Sequence, residues 1–314
     1  MSRVGMIINS RARRNRDIAD ELLSVARRFP VRPHVIDGID GLSGAVDDMA
    51  RRSVDTLILS GGDGTMQAAI TATINQGKFA NDPHYVVLPG GTTNLIASDC
   101  GLKRGHPAQA LDGFLWRWSR GETKTVSRPL IGVQLSERQL PIYGFFLGAG
   151  DFHTAVHYTR QKIHSKGATR SFAVALSLAG YIVSRITGHT SPTPSLPLQR
   201  REPDGTLVDE NLSVLMMTTL SRLSLGVFPF WGTQDGELSV TTLHHGHRHF
   251  WLAALPVMLG RRLSWMEQAG YHSWRTNEMR LRMDAPFVFD GEILFPNPQE
   301  DLIITASKRV AFLT

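Results

Sequence analysis

The sequence predicts two joined architectures: an α/β N-terminal domain with a doubly wound parallel sheet, and a second domain that is a mainly antiparallel β-sandwich. Three observations predict this. Strand-like and helix-like segments alternate through residues 1–122, and the strands are near-continuous apolar runs of the kind buried on both faces of a parallel sheet. Two glycine-rich loops each follow such a strand. Past Gly121 the rhythm changes to short alternating runs separated by turns. At 314 residues the chain can bury two cores, set here as residues 1–122 and 123–314, with the last strand a candidate to return to the first domain.

Val4–Asn9 is rich in β-branched residues and reads as the first buried strand. Asp17–Arg28 places Ile18, Leu22, Val25 and Ala26 at helical spacing. Val31–Ile36 reads as a strand, Leu42–Arg52 as a helix, and Asp55–Leu59 as a strand running into Ser60-Gly-Gly-Asp-Gly-Thr65. A helix through Ile74, a strand Tyr85–Leu88 and the loop Pro89-Gly-Gly-Thr-Thr-Asn94 follow. In the second half the runs Leu130–Leu135, Ile142–Leu147, Leu212–Thr218, Leu238–Leu243, Met279–Met283, Phe287–Phe289 and Leu302–Ala306 read as strands, with two or three helices inserted. Pro203-Asp-Gly205 reads as a hairpin turn, and the Ser/Thr/Pro-rich Thr190–Pro197 as a surface loop.

Hydrophobic content of 42% and charged content of 20% fit a folded protein and argue against long disorder. A single cysteine, Cys100, excludes an intrachain disulfide and fits a reducing compartment. The apolar start Val4–Ile8 is too short for a signal h-region, so a cytoplasmic location is expected. Ser171–Ile186, the longest apolar stretch, falls short of the roughly 20 residues that cross a bilayer. The net charge of +6 points to an anionic partner without choosing among phospholipid, nucleotide and nucleic acid, and the 8% aromatic content offers no stacking array that would favour nucleic acid.

Gly61, Gly62 and Gly64 let backbone approach a ligand closely, and the helix that opens at Thr65 can place N–H groups and its positive end on phosphate oxygens. Asp63 could face a metal or the nucleotide. The alternative is a tight glycine turn with Asp63 as turn former. The second loop adds Gly91, Thr92, Thr93 and Asn94 at the same sheet edge, and two such loops at adjacent strand ends favour a nucleotide site over turns alone.

These residues carry a resemblance. Gly61-Gly-Asp-Gly-Thr65 resembles the signature of the diacylglycerol kinase catalytic family, which includes sphingosine kinases and bacterial lipid kinases. Pro89–Ala97 resembles that family's second nucleotide loop. Phe289-Asp-Gly-Glu292 resembles its D-G-E motif, and Thr233–Leu238 its D-G-x-L segment, so the resemblance runs along nearly the whole chain in the family's order. Three departures stand out. Asn9 is followed by Ser10–Asn15 with neither Pro nor Gly; Leu95-Ile96 replaces an acidic residue after Asn94; and Arg128 stands where relatives place an Asp. The arginines of the first loop could contact phosphate or form a solvated face.

The resemblance implies a lipid-kinase-like (and NAD-kinase-like) fold and ATP-dependent phosphorylation of a lipid hydroxyl, diacylglycerol-like or sphingoid-like, with Mg2+. Asn9, Gly61–Thr65 and Gly91–Asn94 would bind ATP, Asp290 would be the base with Glu292 supporting it, Asp63 an indirect metal contact, and Asp235 a structural magnesium ligand. It further implies a membrane lipid substrate, transient contact with the inner face of the membrane and no nucleic-acid partner; a homodimer is compatible with it. For Asp290-Gly291 and Asp235-Gly236 a plain Asp-Gly turn is the competing reading. Rival functions are an NAD kinase, whose N-E motif would have to be Asn277-Glu278, and a catalytically silent lipid or nucleotide sensor on the same fold. His244–His249 invites a transition-metal reading, but no second ligand cluster accompanies it and a polar loop is preferred. Ser171–Ile186 and Phe250–Leu259, both with basic flanks, could line an acyl slot, touch headgroups or pack in the core.

Overall fold

The computed structural model describes residues 3–12, 15–89, 95–99, 105–150, 195–223 and 227–314. Thus Gly91–Asn94, the Ser171–Ile186 stretch and most of the Thr190–Pro197 loop lie outside the described residues. The chain divides into two compact units, Met1–Arg128 with Arg309–Thr314, and Pro129–Lys308.

In the first unit β1 (Val4–Asn9) is buried at every position. It lies between β2 (Val31–Ile36) and β3 (Thr56–Gly61), parallel to both. Next come β4 (His84–Pro89), parallel to β3, then β17 (Arg309–Leu313), parallel to β4, with β5 (Thr125–Pro129) at the edge, giving the order β2-β1-β3-β4-β17-β5. Helices α1 (Asn15–Ala26), α2 (Leu42–Arg51), α3 (Asp63–Gln76) and α5 (Pro107–Ser119) connect these strands, and the short α4 (Leu95–Asp99) follows β4. Apolar spacing on α1 and α5 is what the sheet requires: Ile18, Leu22 and Ala26 join Leu111, Phe114 and Leu115 over Met6, Ile8 and Val86 in one core. With β1 between β2 and β3, the winding direction reverses at β1 and β3. In open α/β sheets that reversal opens a crevice at the carboxyl ends of the strands, where ligands bind.

The second unit is the expected antiparallel domain, and it is one continuous sheet that curls over its own core. Its main path runs β15 (Glu292–Leu294), β14 (Phe287–Phe289), β8 (Phe146–Gly150), β10 (Leu207–Thr218), β9 (Leu196–Arg201), β13 (Glu278–Met283), β16 (Leu302–Thr305), β6 (Ile131–Gln134), β7 (Ile142–Gly144). β11 (Leu238–His244) branches from β10 and carries β12 (Tyr271–Thr276). The twelve-residue β10 is the spine. Its first half pairs with β9, its second half with β8 and β11, and the register shifts between Leu212 and Val214. That bend lets Leu147, Leu198, Leu215, Leu281, Phe287 and Ile304, from six strands, meet in one buried cluster. Helix α6 (Phe250–Met258) follows β11. Among the described residues no helix is long and apolar enough to cross a membrane.

Candidate functional site

In the first unit the ends of β1 and β3 are joined by side chains rather than by the ladder. The β1–β3 register ends at Ile8↔Ser60. Beyond it Asn15, fully buried at the start of α1, donates from Nδ2 to the carbonyls of Asn9 (2.8 Å) and Ser60 (2.9 Å), and its Oδ1 accepts from Ser60 Oγ at 3.0 Å. Asn15 thereby extends the sheet by one amide exactly where a parallel ladder would otherwise leave buried carbonyls.

Asn9 is 6% exposed and faces α3. Its Nδ2 donates to Thr65 Oγ1 at 2.9 Å, while its Oδ1 accepts from the N–H groups of Arg11 (3.1 Å) and Gly38 (3.3 Å). Thr65 sits in the first turn of α3, its N–H bonded to Gly62 O at 2.9 Å. A hydroxyl that accepts from an amide still has its own O–H to donate. Gly61 must be glycine, because a β-carbon there would stand 2.6 Å from Thr65 Cβ. Gly62 is the extended residue before the helix, with Asp63 and Gly64 opening it, half-buried. The helix dipole therefore concentrates positive partial charge at this glycine turn.

Gly61 and Pro89 are direct partners across β3 and β4, so the two strands end side by side. On β5, Arg128 donates from Nε to Asp99 Oδ2 (2.5 Å) and from Nη2 to Asp99 O (3.1 Å), at the end of α4. The Asp99 side chain is 1% exposed, so this guanidinium neutralises a buried carboxylate and caps the last turn of α4 at once. Arg11 is likewise committed, forming a two-point exposed pair with Asp37 at 2.8 and 2.9 Å that raises the arginine's own pKa.

In the second unit Asp290 and Gly291 form the two-residue turn between β14 and β15, with Phe289↔Glu292 as the closing pair. Both have positive φ, +46° and +93°, the signature of a type I′ hairpin. The turn reading of this motif is thus geometrically satisfied. It does not compete with a chemical role, because the Asp290 side chain leaves the turn and crosses to the β7–β8 junction. There Oδ2 accepts from Phe145 N–H and Oδ1 from Phe146 N–H, each at 2.9 Å, while Asp290 N–H donates to Phe146 O at 3.0 Å. These two bonds orient the carboxylate on the β7–β8 junction. Gly144 belongs to the same arrangement, since a β-carbon on it would overlap Asp290 Oδ2. Glu292 is exposed on β15.

Asp235 is exposed, and Gly236 beside it is required by close approach, a β-carbon there lying 2.6 Å from Thr276 N. Among the described residues no group of three or more His, Cys, Asp or Glu side chains gathers to hold a metal, neither at Asp63 or Asp235 nor along His244–His249. The histidines instead stack: His244 on His272 at 4.7 Å, His247 edge-on to Tyr271 at 5.4 Å, and His249 edge-on to Trp265 at 5.8 Å. Asn277 Oδ1 accepts from Glu237 N–H (2.9 Å) and Glu278 pairs with Arg280 (2.6 Å), so both members of the N-E dipeptide have structural partners.

Asn15, Ser60, Asp99 and Gly144 escaped sequence reading. Only Asn15 carried a local signal, as a polar residue at the N-terminus of an amphipathic helix.

Residues 3–124 match the family described as the diacylglycerol kinase catalytic domain. Among solved structures, a diacylglycerol kinase from Bacillus anthracis str. Sterne aligns with TM-score 0.62 and 15% identity, covering 99% of this chain and 96% of that one. Two structures of candidate diacylglycerol kinases from the same organism align with TM-scores 0.67 and 0.66 at 15% and 14% identity, covering 99% of this chain and 96% and 94% of theirs. At that identity the likeness establishes the fold. No curated protein matches the chain in sequence.

Proposed function

We propose that this chain, a member of the diacylglycerol kinase catalytic family through its residues 3–124, is an ATP-dependent kinase that phosphorylates a lipid hydroxyl. The family supports a lipid kinase; the acceptor and the use of ATP are our reading. The observation that carries it is that β3 and β4 end at the partnered residues Gly61 and Pro89, each running into a glycine-rich segment of the sequence, with α3 opening at Asp63 directly after the first.

Gly61–Thr65 would take the phosphates of ATP on backbone N–H groups and the Thr65 hydroxyl, with Asn9 holding Thr65 in place; Gly91–Asn94 would complete the nucleotide site. Asp290 would accept the proton of the attacking lipid hydroxyl. Oxygen–phosphorus bond formation to the γ-phosphoryl group and cleavage of its bond to ADP then occur together, leaving a lipid phosphate, ADP and one proton on Asp290 that passes to solvent. Phosphoryl transfer asks more for position than for a strong base, and a carboxylate fixed by two N–H donors supplies position. When bound, magnesium would offset charge on the phosphates. Glu292, exposed on β15, would act on solvent or metal rather than on the acceptor.

The test is transfer of labelled γ-phosphate from Mg-ATP to dispersed lipids, with NAD as control acceptor. Labelled lipid is the expected product. Label on NAD would replace the acceptor class, and tight ATP binding without transfer would make the chain a sensor. Asp290→Asn should lower turnover about 10²–10⁴-fold. Its readout must include stability, because either orientation of the new amide sets an NH2 against the N–H of Phe145 or Phe146. Retained ATP affinity with lost turnover supports the base; full activity removes it.

A further inference from the structure

Helix α6 turns its large apolar side chains outward. Trp251, Leu252, Leu255 and Leu259, the last being the residue that ends the helix, are 54, 67, 64 and 49% exposed, whereas Ala253 is fully buried and Val257 nearly so. At 3.6 residues per turn these four side chains fall within an arc of about 100°. They form one stripe, and Leu263 extends it past the helix. An ordinary surface helix seats its large apolar side chains on the core. This one seats alanine and valine there and offers tryptophan and leucine to its surroundings.

The stripe has a cationic rim. Arg248 precedes the helix and Arg261 and Arg262 follow it, all three exposed. Glu267, bonded to Arg262 at 2.8 Å, is the only carboxylate between residues 244 and 268. A second copy docking through the same face would bring two sets of arginines together, which like-charge repulsion opposes. An anionic bilayer meets both features at once. Leucines and tryptophan enter the interfacial layer, where tryptophan prefers to sit, and arginines meet phosphates. Depth is limited too: nine residues span about 13 Å, and Pro256 has no N–H to give the Leu252 carbonyl, which therefore favours the hydrated headgroup zone over hydrocarbon.

We propose that α6 is the membrane-docking element of this protein, lying in the plane of an anionic phospholipid surface with Trp251, Leu252, Leu255 and Leu259 inserted and Arg248, Arg261 and Arg262 on headgroup phosphates. Its physical basis is the helix itself; its biological purpose rests on the lipid-kinase reading. Docking would hold the enzyme on the surface that contains its acceptor.

The test is co-sedimentation of the full chain with phosphatidylcholine vesicles, with and without phosphatidylglycerol. Binding to the anionic vesicles should exceed binding to the neutral ones about tenfold, and Leu252→Glu with Leu255→Glu should lower it by about the same factor. Arg261→Gln with Arg262→Gln should remove most of the anionic preference and its salt dependence. Brominated lipid should quench tryptophan emission in the parent and much less in Trp251→Phe. The substituted side chains are exposed, so thermal unfolding of each variant should match the parent. Absence of vesicle binding, binding unchanged in the leucine variant, or quenching unchanged in Trp251→Phe overturns the proposal. So does a concentration-dependent dimer that the leucine variant abolishes, which would assign the face to a second copy. Phosphate transfer to detergent-dispersed lipid separates the two readings. Vesicle binding through α6 without transfer to any lipid sinks the kinase and keeps the docking; transfer with unaltered sedimentation of the leucine variant does the reverse.

Discussion

The carboxyl ends of β1 and β3 in the first unit and the Asp290 turn in the second are built from opposite materials. The first gathers uncharged amides and hydroxyls, Asn9, Asn15, Ser60 and Thr65, none more than 6% exposed, while Arg11 pairs with Asp37 and Arg128 with Asp99. The second presents one carboxylate held by backbone N–H groups. A polyphosphate cradle can work through dipoles and helix N–H groups, which incur no separate desolvation of a fixed cation. Under the proposed roles the proton acceptor needs its charge, and here two backbone N–H donors fix that charge in place. On that reading binding and proton transfer are separable by substitution.

Four measurements would break or sharpen that separation. Arg128→Met leaves the Asp99 carboxylate buried without its cation, and should destabilise the first unit by about 3 kcal/mol in denaturant unfolding. A loss under 1 kcal/mol would reject this ion pair as a support of the first unit. Gly144→Ala pushes a methyl into Asp290 and should cut turnover about a hundredfold with ATP affinity unchanged. Equal losses in both would show that the two regions do not act separately. Asn15→Ala strands two buried carbonyls and should cost about 2 kcal/mol of stability while raising the KM for ATP, since Asn9 and Ser60 lose their tie.

The smallest effect concerns pH. Burial, and then the neighbouring His244, hold the His272 imidazole below its ordinary pKa, with Glu267 and Glu210 opposing. The unfolded chain therefore takes up this proton first. Stability of the second unit should fall as pH drops through about 6.5 and level off below the folded-state value. His272→Gln should flatten that segment of a stability–pH curve, and an unchanged curve would remove His272 as its source.

Much of this architecture is legible locally. β1 reads as a strand because six consecutive residues are fit for burial on both faces, and Gly61 reads as a loop glycine because its constraint arises four residues away at Thr65. β9 and β12 are not legible in this way. Leu-Pro-Leu-Gln-Arg-Arg and Tyr-His-Ser-Trp-Arg-Thr lack a strong alternating pattern, and they are strands because β10, β13 and β11 supply hydrogen-bond partners. The Asp290 motif shows both limits. Asp-Gly announces the turn, whereas the bonds to Phe145 and Phe146 span 145 and 144 residues of sequence.

By itself the sequence determined the alternation of strands and helices from β1 to β4, the glycine turn ahead of α3, the Asp-Gly hairpin and the family that these motifs resemble. Each depends on backbone preferences and apolar spacing within about ten residues. Only the tertiary structure decided that Asn15 joins β1 to β3, that Arg128 neutralises Asp99, that Asp290 is held by a distant strand junction, and that α6 faces outward with its largest side chains. Those depend on which surfaces meet when the chain closes over long separations, and local preference carries no information about that.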